Sequence, residues 1–206
     1  MGFSGWPTAA LDFYEGLEAD NSKAYWTKHK AVYTEQVLHP MEELLDELAP
    51  EFGAQKIFRP YRDIRFSSDK TPYKTHIGAT LGGTCYVQLS ADGLSAGAGL
   101  WHLEPDELVK YRAAVAGADG AELTVIVAAL EKAGVEVHGH NSLKSVPRGY
   151  SADHPRIDLL RHKGLTTWQH WNPEPWLSTP DAVVKIKEFF RTGAAFCDWL
   201  SSHIDR

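Results

Sequence analysis

Five cations fall between Phe58 and Gly78, in a pattern that suits the capture of an anion. The stretch reads FRPYRDIRFSSDKTPYKTHIG and sets Arg59, Arg62, Arg65, Lys70 and Lys74 against only Asp63 and Asp69. The segment therefore carries +3 in a chain of net charge −6, which leaves −9 for all other residues. Arginine offers a rigid planar fork matched to carboxylate or phosphate, and lysine a mobile point charge. Ser67 and Ser68 can add hydroxyl and backbone donors at a turn. Asp63 can orient an arginine, and His76 titrates near neutral pH, where it could move a proton. Gln88 belongs to the same sheet face as His76. The expected site is thus Arg59, Arg62, Asp63, Arg65, Lys70, Lys74, His76 and Gln88 around a small anionic ligand bearing phosphate or carboxylate. Binding and catalysis fit these residues equally. The competing account is an ion-pair lattice in which Asp63 and Asp69 hold basic side chains and the surplus faces water. Two acids cannot neutralise five bases, yet acids elsewhere can, so the two accounts weigh equally.

Other chemistries have less support. His138-Gly139-His140 sets two imidazoles on one side of an extended segment, but ten histidines make such a pair easy to find by chance. There is no HExxH and no acidic run of calcium-loop spacing, so no metal site is expected. Neither GxSxG, GxGxxG after a strand nor Walker A occurs, and no cofactor is called for. Cys85 alternates with apolar neighbours as a small core residue does. With Cys197 it forms no CxxC, which argues against a disulfide framework or structural zinc. Trp26 and Tyr33 recur at helical spacing, where core packing outweighs stacking on a base or sugar. Phe58, Tyr61, Phe66 and Tyr73 interleave with the basic residues, but the −9 elsewhere disfavours nucleic acid. A non-enzymatic module presenting the basic strand to an acidic protein partner is the main alternative.

The elements that position these groups follow from periodicity. Phe58, Pro60, Arg62, Ile64 and Phe66 alternate with polar residues as a strand does, with Arg62 a misfit on the apolar face. Ser67-Ser68-Asp69 and Thr71-Pro72 break the run, and a second strand resumes at Tyr73. Asp92-Gly93 is a two-residue hairpin turn that pairs Ser90 with Ser95. A three-residue Gly82-Gly83-Thr84 loop aligns Leu81, Ala79 and Ile77 with Cys85, Val87 and Leu89. The two-residue alternative would invert every side chain of one strand. His76, Gln88 and Ser95 then share a face opposite Ile77, Val87 and Ala96. Gly78, Gly97 and Gly99 thin that face, so either a ligand or a tightly packed helix approaches it.

Helices are expected over residues 8–17, after an Asn21 N-cap, and from Pro40 onward. Further along, Glu104-Pro105 opens a helix and Asp119-Gly120-Ala121-Glu122 resembles a capping box. Residues 135–137 and 165–171 are strand candidates, with loop between. Asp153 caps a short helix, and Thr179-Pro180 starts a final one. The fold class is α+β, an antiparallel meander from about Phe58 to Trp101 flanked by N- and C-terminal helices.

A chain of 206 residues can bury roughly 70% of its unfolded surface in one core, as one domain over residues 1–206. Its 43% hydrophobic residues and seven tryptophans fit a packed globule. No apolar run approaches the ~18 residues of a membrane span, and the start has no basic n-region or apolar h-region. Soluble, cytoplasmic character is expected, with no membrane partner.

The pattern RxYRDxRFSxDKxPYKTHIG is carried by Arg59, Tyr61, Arg62, Asp63, residues 65–67, Asp69, Lys70 and residues 72–78. It resembles the signature of an uncharacterised bacterial and fungal family, the domains of unknown function numbered 2461. Leu17-Glu18-Ala19-Asp20-Asn21, Gly97-Ala98-Gly99-Leu100-Trp101 before Glu104-Pro105, and His154-Pro155-Arg156 with Leu159-Leu160-Arg161 extend the likeness over nearly the whole chain. At Asp20-Asn21 the family more often has paired asparagines. The resemblance implies one domain and no particular reaction.

Overall fold

The computed structural model describes residues 2–65 and 67–204. Helix α1 (Thr8–Ala19) buries Ala10, Phe13, Tyr14 and Leu17, the stripe that a 3.6-residue period puts on one face. Helix α2 (Lys23–Val32) starts one residue later than expected. Its cap is Ser22, whose hydroxyl accepts from the Tyr25 N–H at 3.1 Å. Asn21 is therefore released for another task. A π-helical stretch, Tyr33–Leu38, leads into α3 (His39–Phe52). The His39 N–H reaches back to the Thr34 carbonyl. In an unbroken α-helix the Pro40 ring would collide with the Gln36 carbonyl, and the widened turn just before it avoids that clash. Trp26 and Tyr33 are core residues, 5% and 6% exposed.

Strands β1 (Gln55–Ile57), β2 (His76–Leu81), β3 (Cys85–Ser90), β4 (Gly93–Leu100), β5 (Val137–Gly139) and β6 (Leu165–Trp171) form one sheet in the order β1-β2-β3-β4-β6-β5. With the helices this makes an α+β fold. The β2–β3 register pairs Leu81 with Cys85, Ala79 with Val87 and Ile77 with Leu89, as the three-residue loop requires. His76 and Gln88 accordingly share the face opposite the buried Ile77 and Val87.

Three expectations are corrected. The first strand lies at Gln55–Ile57, not from Phe58, and Tyr61↔Tyr73 is an isolated bridge. Pro60 and Pro72 supply no N–H on either side of this segment, so a continuous ladder cannot form. The turn between β3 and β4 sits at Ala91-Asp92, one residue early. Gly93 instead opens β4 at φ +112°, where an added Cβ would lie 2.2 Å from the Trp171 carbonyl oxygen. The glycine-thinned face is filled by the protein itself. A Cβ at Gly78 would meet the Tyr86 hydroxyl at 2.4 Å, and one at Gly97 the Trp168 ring at 2.9 Å.

The chain clusters into two compact units, residues 1–96 with 170–188 and residues 97–169 with 189–206. The second unit holds α4 (Pro105–Ala116), α5 (Gly120–Lys132) and α6 (Ile157–Arg161). Helix α4 opens on a Glu104/Glu107 capping box with Pro105 in its first turn. At its far end Arg156 donates to the carbonyls of Val115 (2.6 Å), Ala116 (3.2 Å) and Gly117 (2.8 Å). Asp119 does not form the expected capping box, because its backbone is helical rather than extended. The short helix begins at Ile157, after turns at Ala152-Asp153 and Pro155-Arg156. The final helix is two, α7 (Asp181–Thr192) and α8 (Ala194–Ile204), parted at Gly193. Tyr111, Val115, Leu123, Leu160, Phe196 and Leu200 form this unit's core. No single helix among the described residues is long and apolar enough to cross a membrane.

Candidate functional site

The basic segment is pinned to the first unit by one asparagine and one tyrosine. The Asn21 carboxamide accepts from the Tyr73 N–H at 3.0 Å and donates to the Tyr73 carbonyl at 3.1 Å. The Tyr73 ring stacks on Trp26 with centroids 4.4 Å apart and planes 7° from parallel. Three main-chain bonds tie the two arms of the segment together: Phe58 N–H to Gly78, Lys74 N–H to Pro60, and Arg62 N–H to Pro72, at 2.8–2.9 Å. Beyond Arg62 the described residues of 63–70 form a loop, and the chain returns at Thr71.

Beside this anchor lies a cavity of about 450 Å³. Glu18 and Asn21 line it from the end of α1 and the turn after it, Arg62, Asp69 and Thr71 from the loop, and residues 73–76 from the approach to β2. Arg62 is half-buried and paired with Asp69 and the Thr71 hydroxyl. The Arg62 guanidinium and the Thr71 donors hold the Asp69 carboxyl down to about 2. The misfit on the apolar alternation is thereby matched by a carboxylate.

Of the eight residues expected at the site, Arg62, Lys74 and His76 line the cavity. Arg65 and Asp63 form a two-pronged pair at 2.9 and 2.6 Å, with the Arg65 side chain 77% exposed. Lys70 donates to the Ile64 carbonyl at 3.0 Å. Arg59 is exposed and outside the lining, though its charge acts on Asp63 and Lys74. Gln88 accepts from the Tyr86 hydroxyl at 2.9 Å.

Lys74 and His76 differ from the paired arginines. The Lys74 ammonium lies 5.3 Å from the Phe58 ring centroid, and no carboxylate among the described residues pairs with it. Burial, then the Arg59 charge, pushes its pKa down. His76 is half-buried, and burial followed by the Lys74 charge lowers its pKa also. The Lys74 charge thus disfavours the protonated form of His76, two residues on. An anion bound near them would oppose both shifts.

The family model described as "Conserved hypothetical protein (DUF2461)" matches residues 9–199. The chain belongs to this family. The matched region contains every residue lining the 450 Å³ cavity. No curated protein matches the chain. A solved structure of a conserved hypothetical protein from Pyrococcus furiosus is similar at 15% identity, covering 83% of this chain and 99% of that one, with a TM-score of 0.37.

Composition of the basic segment alone does not reveal Glu18, Asn21, Thr71, Tyr73 and Thr75 as cavity residues. Glu18 and Asn21 do stand in the Leu17–Asn21 part of this DUF2461 member's pattern, the one available signal. A larger cavity of about 570 Å³ lies by the π-helical stretch, with Glu35, His39 and Glu43 on its wall. It has no basic counterpart beyond His39, and no group of three or more metal-ligating side chains occurs among the described residues. The cavity beside Tyr73 is therefore the better candidate for recognising an anion.

Proposed function

We propose that the protein binds a small phosphate- or carboxylate-bearing ligand in the cavity beside Tyr73, with Lys74 as the principal anion contact and His76 as a second, protonatable one. The observation that carries this is that Lys74, without a carboxylate partner among the described residues, lines one cavity with His76 beside the Tyr73 backbone that Asn21 holds. Arg62 is already paired with Asp69 and adds a shaped, neutralised edge rather than net charge. A volume of about 450 Å³ falls in the ~300–1,000 Å³ typical of small-molecule pockets. The buried thiols of Cys85 and Cys197 fit a reducing compartment, and we propose a cytoplasmic setting for the binding.

Sulfate is the clean probe, because its charge does not change near neutral pH. It should raise the melting temperature saturably, beyond the effect of chloride at equal ionic strength, by the mass action of a ligand that binds only the folded state. Lys74→Ala should weaken sulfate roughly 10–100-fold, the loss of about 1.5–3 kcal/mol for a hydrogen bond to a charged group. The pH dependence has a definite sign. His76 is depressed below its ordinary value in the empty protein, and a bound anion restores its proton. Affinity for sulfate should therefore rise as pH falls through and below about 6.5, and His76→Gln should flatten that rise. A melting-temperature gain that survives Lys74→Ala, or that chloride reproduces, would overturn the proposal.

A further inference from the structure

The same cavity carries an unmatched acid as well as an unmatched base. Its charged lining is Glu18, Arg62, Asp69 and Lys74, with His76 titratable. Arg62 and Asp69 neutralise each other by direct contact. One acid and one cation remain. No ion pair within 4.0 Å joins Glu18 to Lys74 or to any other described residue. Glu18 lies at the end of α1, and its carboxyl is pushed up by burial and by its acidic neighbours Asp92 and Glu15. Glu18 is exposed, so water solvates its carboxylate when the cavity is empty, while its acidic neighbours disfavour its charge. A simple anion relieves Lys74 and His76 but adds repulsion at Glu18. A ligand with an ammonium group as well relieves both.

We infer that the ligand is zwitterionic, a small molecule carrying a carboxylate or phosphate for Lys74 and His76 and a protonated amine for Glu18. This rests on the anion-binding proposal above and narrows its substrate class. A primary ammonium supplies three donors to a carboxylate that has no ion-pair partner among the described residues. The Thr75 hydroxyl, also on the lining, can take either role toward the ligand's polar middle. The net charge of the lining at neutral pH is zero, which matches a zwitterion and does not match a polyanion.

The test uses matched probes with the full chain. O-Phosphoethanolamine is compared with ethyl phosphate, and β-alanine with propionate, by isothermal titration. In each pair the amine-bearing member should bind about tenfold more tightly, a difference of about 1.4 kcal/mol. Glu18→Gln removes the charge at an exposed helix position and keeps the side-chain shape. It should cut the amine-bearing probe's affinity about tenfold and raise that of its anion-only twin about twofold, because nearby repulsion is gone. Opposite signs for the two twins distinguish a direct ammonium contact from a general loss of structure. Equal affinity of the twins for the wild type, or a Glu18→Gln effect of the same sign on both, overturns the zwitterion inference while leaving anion binding standing. Ethyl phosphate affinity insensitive to Lys74→Ala sinks the anion proposal instead. Absence of binding by all four probes at about 10 mM, the weak end of small-molecule affinity, overturns both.

Discussion

Replacing Asn21 by alanine tests whether one carboxamide holds the cavity wall. The side chain makes two hydrogen bonds to the Tyr73 backbone, at 3.0 and 3.1 Å, in a half-buried setting. Each is worth about 0.5–1.5 kcal/mol net, and the abandoned N–H and carbonyl can partly recover by bonding water from the adjoining cavity. The expected loss is therefore about 2 kcal/mol. For a chain of this length that corresponds to a fall of about 4–8 °C in melting temperature. Asn21→Asp should fall between the two. It keeps an acceptor for the Tyr73 N–H, but sets a carboxylate against the Tyr73 carbonyl and near Glu18. Urea unfolding followed by tryptophan fluorescence gives the midpoint and slope, and the slope should stay constant if only the folded state is weakened. Sulfate titration of the same variants reads the wall directly. Lys74 follows Tyr73 in sequence, so freeing Tyr73 should weaken sulfate binding as well as the fold. An Asn21→Ala protein within about 0.5 kcal/mol of wild type would refute the anchoring role. One that is destabilised yet binds sulfate as wild type does would refute the link between anchor and site.

Gly78→Ala should cost about 1–3 kcal/mol, because the new methyl lands 2.4 Å from the Tyr86 hydroxyl. Adding Tyr86→Phe removes that oxygen and should recover part of the loss in urea midpoint, which a generic strand defect would not do. Arg156→Lys should destabilise the second unit by about 2–3 kcal/mol, since one ammonium cannot reproduce a guanidinium fork spanning three carbonyls at the end of α4. Hydrogen exchange should show the last turn of α4 opening first, and protection there equal to wild type would contradict the capping role.

Burial patterns made much of the sheet legible, and backbone chemistry hid the rest. The β2–β3 register could be read because Ile77, Ala79 and Leu81 must all face inward with Leu89, Val87 and Cys85, and a slip of one residue would turn every one outward. Alternation at residues 58–66 is as regular in the sequence, yet no strand forms over the described residues 58–65, Phe66 lying outside them. Side-chain pattern cannot register that Pro60 and Pro72 have no N–H to give. Asn21 and Ser22 are both good caps, and the choice between them turned on Tyr73, far along the chain and silent in local sequence. Gly93 was rightly a special residue for the hairpin, but its freedom is spent on the approach of the Trp171 carbonyl rather than inside the turn.

The candidate site was legible as a surplus of charge and illegible as a set of side chains. Counting gives +3 to the segment, but counting cannot say which charges meet. Arg62 and Asp69, and Arg65 and Asp63, find each other within the same loop, where closing a short separation costs little chain entropy. Lys70 turns to a carbonyl of that loop. Arg59, Lys70 and Lys74 are then the cations of the segment without an acid among the described residues, and of these Lys74 lines the cavity. Lys74 and His76 flank a bend at Thr75 just before β2, and both line the same cavity. The acid that answers them, Glu18, comes from a helix whose sequence reads as an ordinary amphipathic surface. By pairing its own charges the loop therefore leaves the cavity lining with one unpaired cation, Lys74, and one histidine from the basic segment. On the proposed reading, such a cavity would select for the shape and polarity of a ligand, where an unpaired island would select only for negative charge.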